Sequence, residues 1–228
     1  MPQKYKLCSF NCVYCHYGLT SVHTVDVRPY AADLPELADV VQAIKNVLVS
    51  KQQFDYITFS GNGEPTLHPQ FAELAAEIAG LRDKHRPEVK IALLSNSSGL
   101  SNAVKESIRH IDLPVFKLDA GTWQAFHAVN RPARGVDLEQ ITKHLESLDG
   151  IYIQTVLIHG VPCNTKDEEL NAYFERLKII RPRKVHIYSI DRPVPNAKIE
   201  RVLSHELERI AISGTETTGV EVQPFYLR

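Results

Sequence analysis

The 228 residues are 43% hydrophobic and 23% charged, with a formal net charge of -1. Those values suit a globular chain with a sizeable core, and the near-neutral balance singles out neither a nucleic-acid protein nor a membrane-surface one. No apolar run approaches the roughly 18 residues that span a bilayer, and the start, MPQKYKLCSF, has no apolar signal core. Four cysteines, three of them clustered, make a poor disulfide framework; a reducing cytoplasm is the expected setting, where such clusters bind metal or do redox work.

In chain order, the first feature is LCSFNCVYCHYG (7–18), with Cys8, Cys12 and Cys15; the fourth cysteine is Cys163. LPELADVVQAIKNVL (34–48) then carries Leu37, Val40, Val41, Ile44 and Val47 at helical spacing, and FAELAAEIAGL (71–81) repeats the pattern with Phe71, Leu74, Ala75, Ile78 and Leu81. Short β-branched runs punctuate the helices: DYITFS (55–60), KIALLS (90–95), PVFKLD (114–119), IYIQTVL (151–157) and KVHIYSI (184–190). They read as strands buried on both faces. Asp137 with Gln140, and Thr165 with Glu168, fit helix N-caps. LSHELERIAI (203–212) reads as a last helix and VEVQPFY (220–226) as a last strand. Alternating β and α units predict a parallel sheet with right-handed crossovers, and such α/β folds carry their sites at the carboxyl ends of the strands. No repeat or long linker divides the chain, so residues 1–228 read as a single domain.

The strand ends carry the polar groups. SGNGEPTLHP (60–69) combines a sharp glycine turn with Glu64, suited to a ligand amine or to a plain βα turn. In SNSSG (95–99), Asn96 can meet hydroxyls or the serines can cap the helix that starts near Ser101. Lys117 and Asp119 lie two apart on one side of their strand, as a ligand contact or a structural ion pair. NRPARG (130–135) adds Arg131 and Arg134, LIHGVPCNT (157–165) ends on Cys163, and His186 and Tyr188 share a face, where core positions are the default. Together these groups suit an amine, a carboxylate and a ribose.

C-x3-C-x2-C lets a short loop present three thiolates to a cubic iron–sulfur cluster, which normally takes four cysteines. A three-cysteine set leaves one iron open to an amine and a carboxylate. A zinc site closed by His16, His23 or Cys163, and unpaired thiols, are the alternatives at this point.

Cys8-Ser-Phe-Asn-Cys12-Val-Tyr14-Cys15 resembles the cluster motif of the radical S-adenosylmethionine (radical SAM) superfamily, and Gly61-Asn62-Gly63-Glu64-Pro65 resembles its GGEP motif, with Asn62 in a small residue's place. The resemblance extends, less specifically, to iron–sulfur oxidoreductases grouped with wybutosine-type tRNA modification enzymes. It implies a partial (β/α)6 TIM-like barrel with Cys8, Cys12 and Cys15 holding a [4Fe–4S] cluster. SAM would take the open iron: Tyr14 near adenine, Gly61 to Gly63 with Glu64 at the amine, Asn96 and Asp119 at ribose or methionine, Lys117 and Arg131 at the carboxylate, and the Leu157–Gly160 stretch, centred on Ile158, against adenine.

The implied chemistry is reductive cleavage of SAM to a 5′-deoxyadenosyl radical that takes hydrogen from a small-molecule, RNA or protein substrate. It implies a one-electron donor such as flavodoxin or ferredoxin as partner, and no membrane. An activating enzyme for a glycyl-radical partner protein, or a non-catalytic metal-stabilised interaction domain, are the alternatives. With only MPQKYKL before Cys8, the first barrel strand is expected to be a stub or missing, leaving the next strand's edge exposed.

Overall fold

The computed structural model describes residues 1–2 and 4–226 of the chain. Its main sheet contains β3 (Tyr56–Phe59), β4 (Lys90–Ser95), β5 (Leu113–Lys117), β6 (Tyr152–Gly160), β7 (Lys184–Ser189) and β9 (Val222–Pro224), hydrogen-bonded in that order and all parallel. The five apolar runs and VEVQPFY thus become successive neighbours. β8 (Ile199–Arg201) pairs antiparallel with the extended end of β6, Ile158 meeting Arg201. The sheet does not close, so the architecture is a partial barrel of parallel strands.

Among the described residues, the strand before the cysteine loop is two residues long. β1 (Leu7–Cys8) pairs with β2 (Val22–His23) and touches the sheet end through a parallel bridge from Leu7 to Gly63. β3 therefore pairs only with β4 in the main sheet, and Tyr56 is 46% exposed. The helix beside it, α1 (Leu37–Leu48), leaves Leu37, Val40, Val41 and Ile44 only partly buried, and exposes Val47 while burying Leu48. Val47 was expected on the apolar face; the 3.6-residue period carries that face from Ile44 to Leu48 instead. α2 (Phe71–His85) buries Phe71, Leu74, Ala75 and Ile78 along one stripe, as its spacing predicts.

Register separates the two faces of the sheet. Phe116, Ile153, Val185 and Ile187 point to one side and are fully buried. Here they meet the helix layer, which includes α5 (Leu138–Glu146), α6 (Asp167–Ile180) and α7 (Ser204–Thr218). Leu94, Val115, Lys117, Gln154, Val156 and Tyr188 share the opposite, concave side. Burial on both faces, expected of the five apolar runs, fails at β3, the edge of the main sheet, and at β7, whose His186 and Tyr188 line hollows on the concave side.

Caps divide the predicted from the unpredicted. Asp137 caps α5 through Glu139 N at 3.3 Å, and Ser101 caps α3 (Asn102–Ser107) through Val104 N at 3.3 Å. Thr165 does not cap α6: its hydroxyl bonds His159 Nδ1 at 2.9 Å, and Lys166 occupies the N-cap without a side-chain bond. Helix α4 (Trp123–Val129), unmarked by apolar periodicity, is capped by Thr122, whose hydroxyl also reaches Glu169 of α6 at 2.6 Å. A Cβ on Gly121 would stand 2.1 Å from Tyr173 N, so only glycine lets this turn meet α6.

Phe116 fills the middle of the sheet–helix layer at 0% exposure. Phe116→Ala is expected to cost about 3–5 kcal/mol, read as a lower urea midpoint at unchanged slope.

Candidate functional site

The cysteine loop follows β1 and is built from hydrogen bonds borrowed from other segments. Asn11 N donates to Asn130 O at 3.0 Å and Arg131 O at 3.1 Å, and Val13 N donates to Val129 O at 3.0 Å. Ala133 N donates to Ser9 O at 2.7 Å beside an antiparallel bridge between Phe10 and Pro132. The NRPA segment is thus a backbone clasp for the loop. Thr20 closes the other side, its hydroxyl donating to Phe10 O at 2.7 Å. Phe10 packs edge-on against Phe126 at 5.4 Å.

All three thiols line one cavity of about 380 Å³ on the concave side of the sheet. Each sulfur accepts a hydrogen bond from a different donor: Cys8 Sγ from Asn96 Nδ2 at 3.4 Å, Cys12 Sγ from Asn130 Nδ2 at 3.5 Å, and Cys15 Sγ from Lys6 Nζ at 3.1 Å. Burial pushes the Cys8 thiol up to about 12 and the Cys12 thiol to about 11. Such thiols become thiolates only with strong positive compensation, which a metal centre supplies. Among the described residues no three His, Cys, Asp or Glu side chains converge on a single ion. His16 lines the same cavity, but neither it nor His23 joins such a set.

The glycine loop after β3 forms an adjoining wall. Gly61 and Gly63 line the cavity with φ of +127° and +136°. A Cβ on Gly63 would stand 1.9 Å from Leu7 O, so the glycine admits the strand that carries Cys8. Asn62 points elsewhere, donating to Tyr5 O at 3.1 Å. Glu64 is 2% exposed and turned into the protein. Its Oε1 accepts from Thr66 N at 3.0 Å, Thr66 Oγ1 at 2.6 Å and Ser95 Oγ at 2.8 Å; its Oε2 accepts from Asn96 N at 2.6 Å. Burial raises its pKa against these donors. The side chain ties the loop to the end of β4, which leaves the loop backbone as the part suited to an amine.

A second buried carboxylate organises the far wall. Asp119 accepts from Val156 N at 2.8 Å, Asn130 Nδ2 at 2.7 Å and the Tyr14 hydroxyl, and lies 3.2 Å from Lys117 Nζ. Burial works most strongly against the Lys117 ammonium, but Asp119, Tyr188 and Cys12 together hold its pKa above the usual lysine value. Burial, then the Asp119 charge, pushes the Tyr14 phenol well up, leaving it a neutral donor. Lys117 lies near the faces of Tyr14 and Tyr188, at 5.2 and 5.5 Å from the ring centroids. Despite its ion pair, Lys117 Nζ has no hydrogen bond among the described residues, as is also true of the buried Asn130 Oδ1.

The cavity therefore gathers Cys8, Cys12, Cys15, Tyr14, Gly61, Gly63, Glu64, Asn96 and Lys117 in its lining. Asp119 stands behind that lining as a support. Arg131 is exposed, at φ +46°, and contributes its carbonyl to the cysteine loop. Ile158 is fully buried with its N–H taken by Asn164 Oδ1 at 2.8 Å, and Val156 is the β6 residue that meets the cavity beside Gln154. Cys163 sits apart, 3.2 Å from Thr165 Oγ1. Lys6, Asn130 and Gln154 were not singled out in the sequence; a lysine two residues before the first cysteine carries no motif. A further hollow of about 350 Å³ shares Gln154, Tyr188 and Asp191 with this cavity and adds His186, Arg201 and Phe225.

Residues 3–177 match the radical SAM superfamily. The chain is also 25% identical over 211 residues to the GTPase Obg of Brachyspira hyodysenteriae, covering 90% of this chain and 29% of that protein. It is 30% identical over 195 residues to a UPF0026 protein of Methanocaldococcus jannaschii, covering 82% and 57% respectively. It thus spans between about a third and somewhat over half of these relatives' length. Among solved structures it resembles Streptococcus suis SuiB bound to S-adenosylmethionine, with a TM-score of 0.69, 12% identity, and 98% and 49% of the two chains covered. It also resembles TYW1 with a lysine-pyruvate adduct bound, with a TM-score of 0.60, 19% identity, and 94% and 72% covered. The chain belongs to the radical SAM superfamily.

Two substitutions test the walls by guanidinium-chloride unfolding. Gly63→Ala meets both a disfavoured φ and a backbone oxygen, and is expected to cost about 2–4 kcal/mol. Asp119→Ala leaves the Lys117 ammonium buried without its counter-charge and is expected to cost about 3–5 kcal/mol.

Proposed function

We propose that Cys8, Cys12 and Cys15 hold a [4Fe–4S] cluster with one iron free for SAM, and that the chain generates a 5′-deoxyadenosyl radical to take hydrogen from its substrate. The observation that carries this reading is the placement of three thiols on one cavity without convergence on a single ion. Ligands that each serve a different iron need no such convergence, whereas a mononuclear zinc does. The donor set fits: sulfur ligands with N–H donors of their own, and a buried ammonium in the wall with spare hydrogen-bonding capacity.

When bound, the cluster and SAM supply the electron and the radical. The chain's own residues bind and orient. Lys117, paired with Asp119, offers the N–H groups of its Nζ that carry no hydrogen bond to the SAM carboxylate, and the backbone of Gly61 to Gly63 offers acceptors to the amine. Glu64 holds that backbone in place from behind, and Asp119 does the same for Lys117 and Tyr14. Tyr14 and Val156 give the adenine side a ring and an apolar face. Arg131 and Ile158 have no direct part. The hollow lined by His186, Tyr188 and Phe225 gives the substrate a place beside the cofactor. A one-electron donor of the flavodoxin or ferredoxin type supplies reducing equivalents. The substrate stands open between small molecule, RNA and protein.

The test is anaerobic reconstitution followed by addition of SAM and dithionite. About four irons per chain and release of 5′-deoxyadenosine are expected, with both lost when Cys8, Cys12 and Cys15 become Ala. Cys163→Ala is expected to retain its iron. Iron bound without any SAM cleavage favours a metal-stabilised interaction domain.

A further inference from the structure

Lys6 is the residue whose placement the cluster motif does not explain. It is 6% exposed, and a lysine is almost never buried so deeply without a partner of opposite charge. The partners of its Nζ are Cys15 Sγ at 3.1 Å and Gly18 O at 2.8 Å, neither of them a carboxylate. Its backbone is fixed as well, since Lys6 O accepts from Ser21 N at 3.1 Å and Val22 N at 3.0 Å. Gly18 N in turn bonds Cys15 O at 2.9 Å, so the turn that anchors the ammonium is the turn that ends the cysteine loop.

The three sulfurs are thus not equivalent. Cys8 and Cys12 receive neutral amide donors from Asn96 and Asn130, at 3.4 and 3.5 Å. Cys15 receives the shorter bond, from an ammonium. Hydrogen bonds and charge at the cysteine sulfurs are among the main determinants of an iron–sulfur potential. A charged donor is roughly twice as strong as a neutral one. A fixed positive charge beside a centre that gains an electron favours the reduced state, most strongly in a partly dry site.

We propose that Lys6 sets the reduction potential of the cluster through its Nζ–H···Sγ bond to Cys15, making the centre easier to reduce. This rests on the proposed cluster. Lys6 is a positioning residue: it acts on the centre through a ligand and takes no direct part in hydrogen abstraction.

The test is an EPR-monitored redox titration of the anaerobically reconstituted full chain without SAM, alongside iron counts. Lys6→Met, which removes charge and donor, is expected to keep its iron while its reduction equilibrium constant falls about tenfold or more, or 59 mV for one electron. Lys6→Arg, which keeps both, is expected to stay within about threefold of the parent, a margin below the charge effect. A Lys6→Met potential equal to the parent's overturns the proposal. So does a Lys6→Arg potential as low as that of Lys6→Met, because packing rather than charge then decides. If Lys6→Met fails to load, Lys6→Gln decides in its place: an intermediate potential supports the role and a parental one overturns it. A parent chain that binds no cluster overturns the proposed function itself, and this inference with it.

Discussion

The segment that carries Cys8 at the end of β1, and Cys12 and Cys15 in the loop after it, is not held by its own backbone alone. Residues 9–18 form no regular structure, so their N–H and C=O groups need partners from elsewhere, or burial becomes costly. Some partners are local, as in the Cys15–Gly18 turn, but those that fix the loop to the barrel come from segments far away in sequence. Val129 to Ala133 clasp the loop by main-chain bonds, Asn96 and Asn130 reach two of its sulfurs, and Gly63 makes room for the strand that leads into it. The sheet brings those segments to one rim because successive parallel strands end on the same side. Barrel and cysteine-lined cavity are therefore one structural requirement.

Two buried carboxylates extend that logic. Glu64 is filled by donors from Thr66, Ser95 and Asn96; Asp119 is filled by Val156, Asn130, Tyr14 and Lys117. A buried carboxylate so engaged is stable where it is and costly to strip of partners, which makes it a better brace than a ligand contact. The cavity keeps the three sulfurs, the glycine-loop backbone and the Lys117 ammonium on its walls, with Lys6, His16, Gln154, Asp191 and Arg192 beside them.

Much of this was legible in the sequence because it depends on local spacing. Apolar runs marked five strands within a few residues, and the cysteine and glycine motifs located two walls of the cavity. What escaped depends on partners remote in sequence. Arg131 resembles an anion contact in a list of residues, but its positive φ turns its carbonyl to the loop and leaves its side chain in solvent. Thr165 looks like a cap until His159 competes for its hydroxyl. Ile158 sits at the right strand end, yet Asn164 occupies its N–H. Lys6 lies beside the motif without belonging to it, and only the turn at Gly18 brings its ammonium onto Cys15. Glu64, expected at the amine from its motif, has its carboxylate engaged by Thr66, Ser95 and Asn96, since sequence order does not show which way a carboxylate points.

The central claim is that three thiolates leave one iron open for the amine and carboxylate of SAM. Its most direct measurement is electron–nuclear double resonance on the reduced, reconstituted chain, with SAM nitrogen-labelled at the methionine amine. The account predicts a hyperfine coupling from the label to the cluster, present only when SAM is added. A fully loaded cluster whose spectrum is unchanged by SAM, with no coupling to the label, would contradict it.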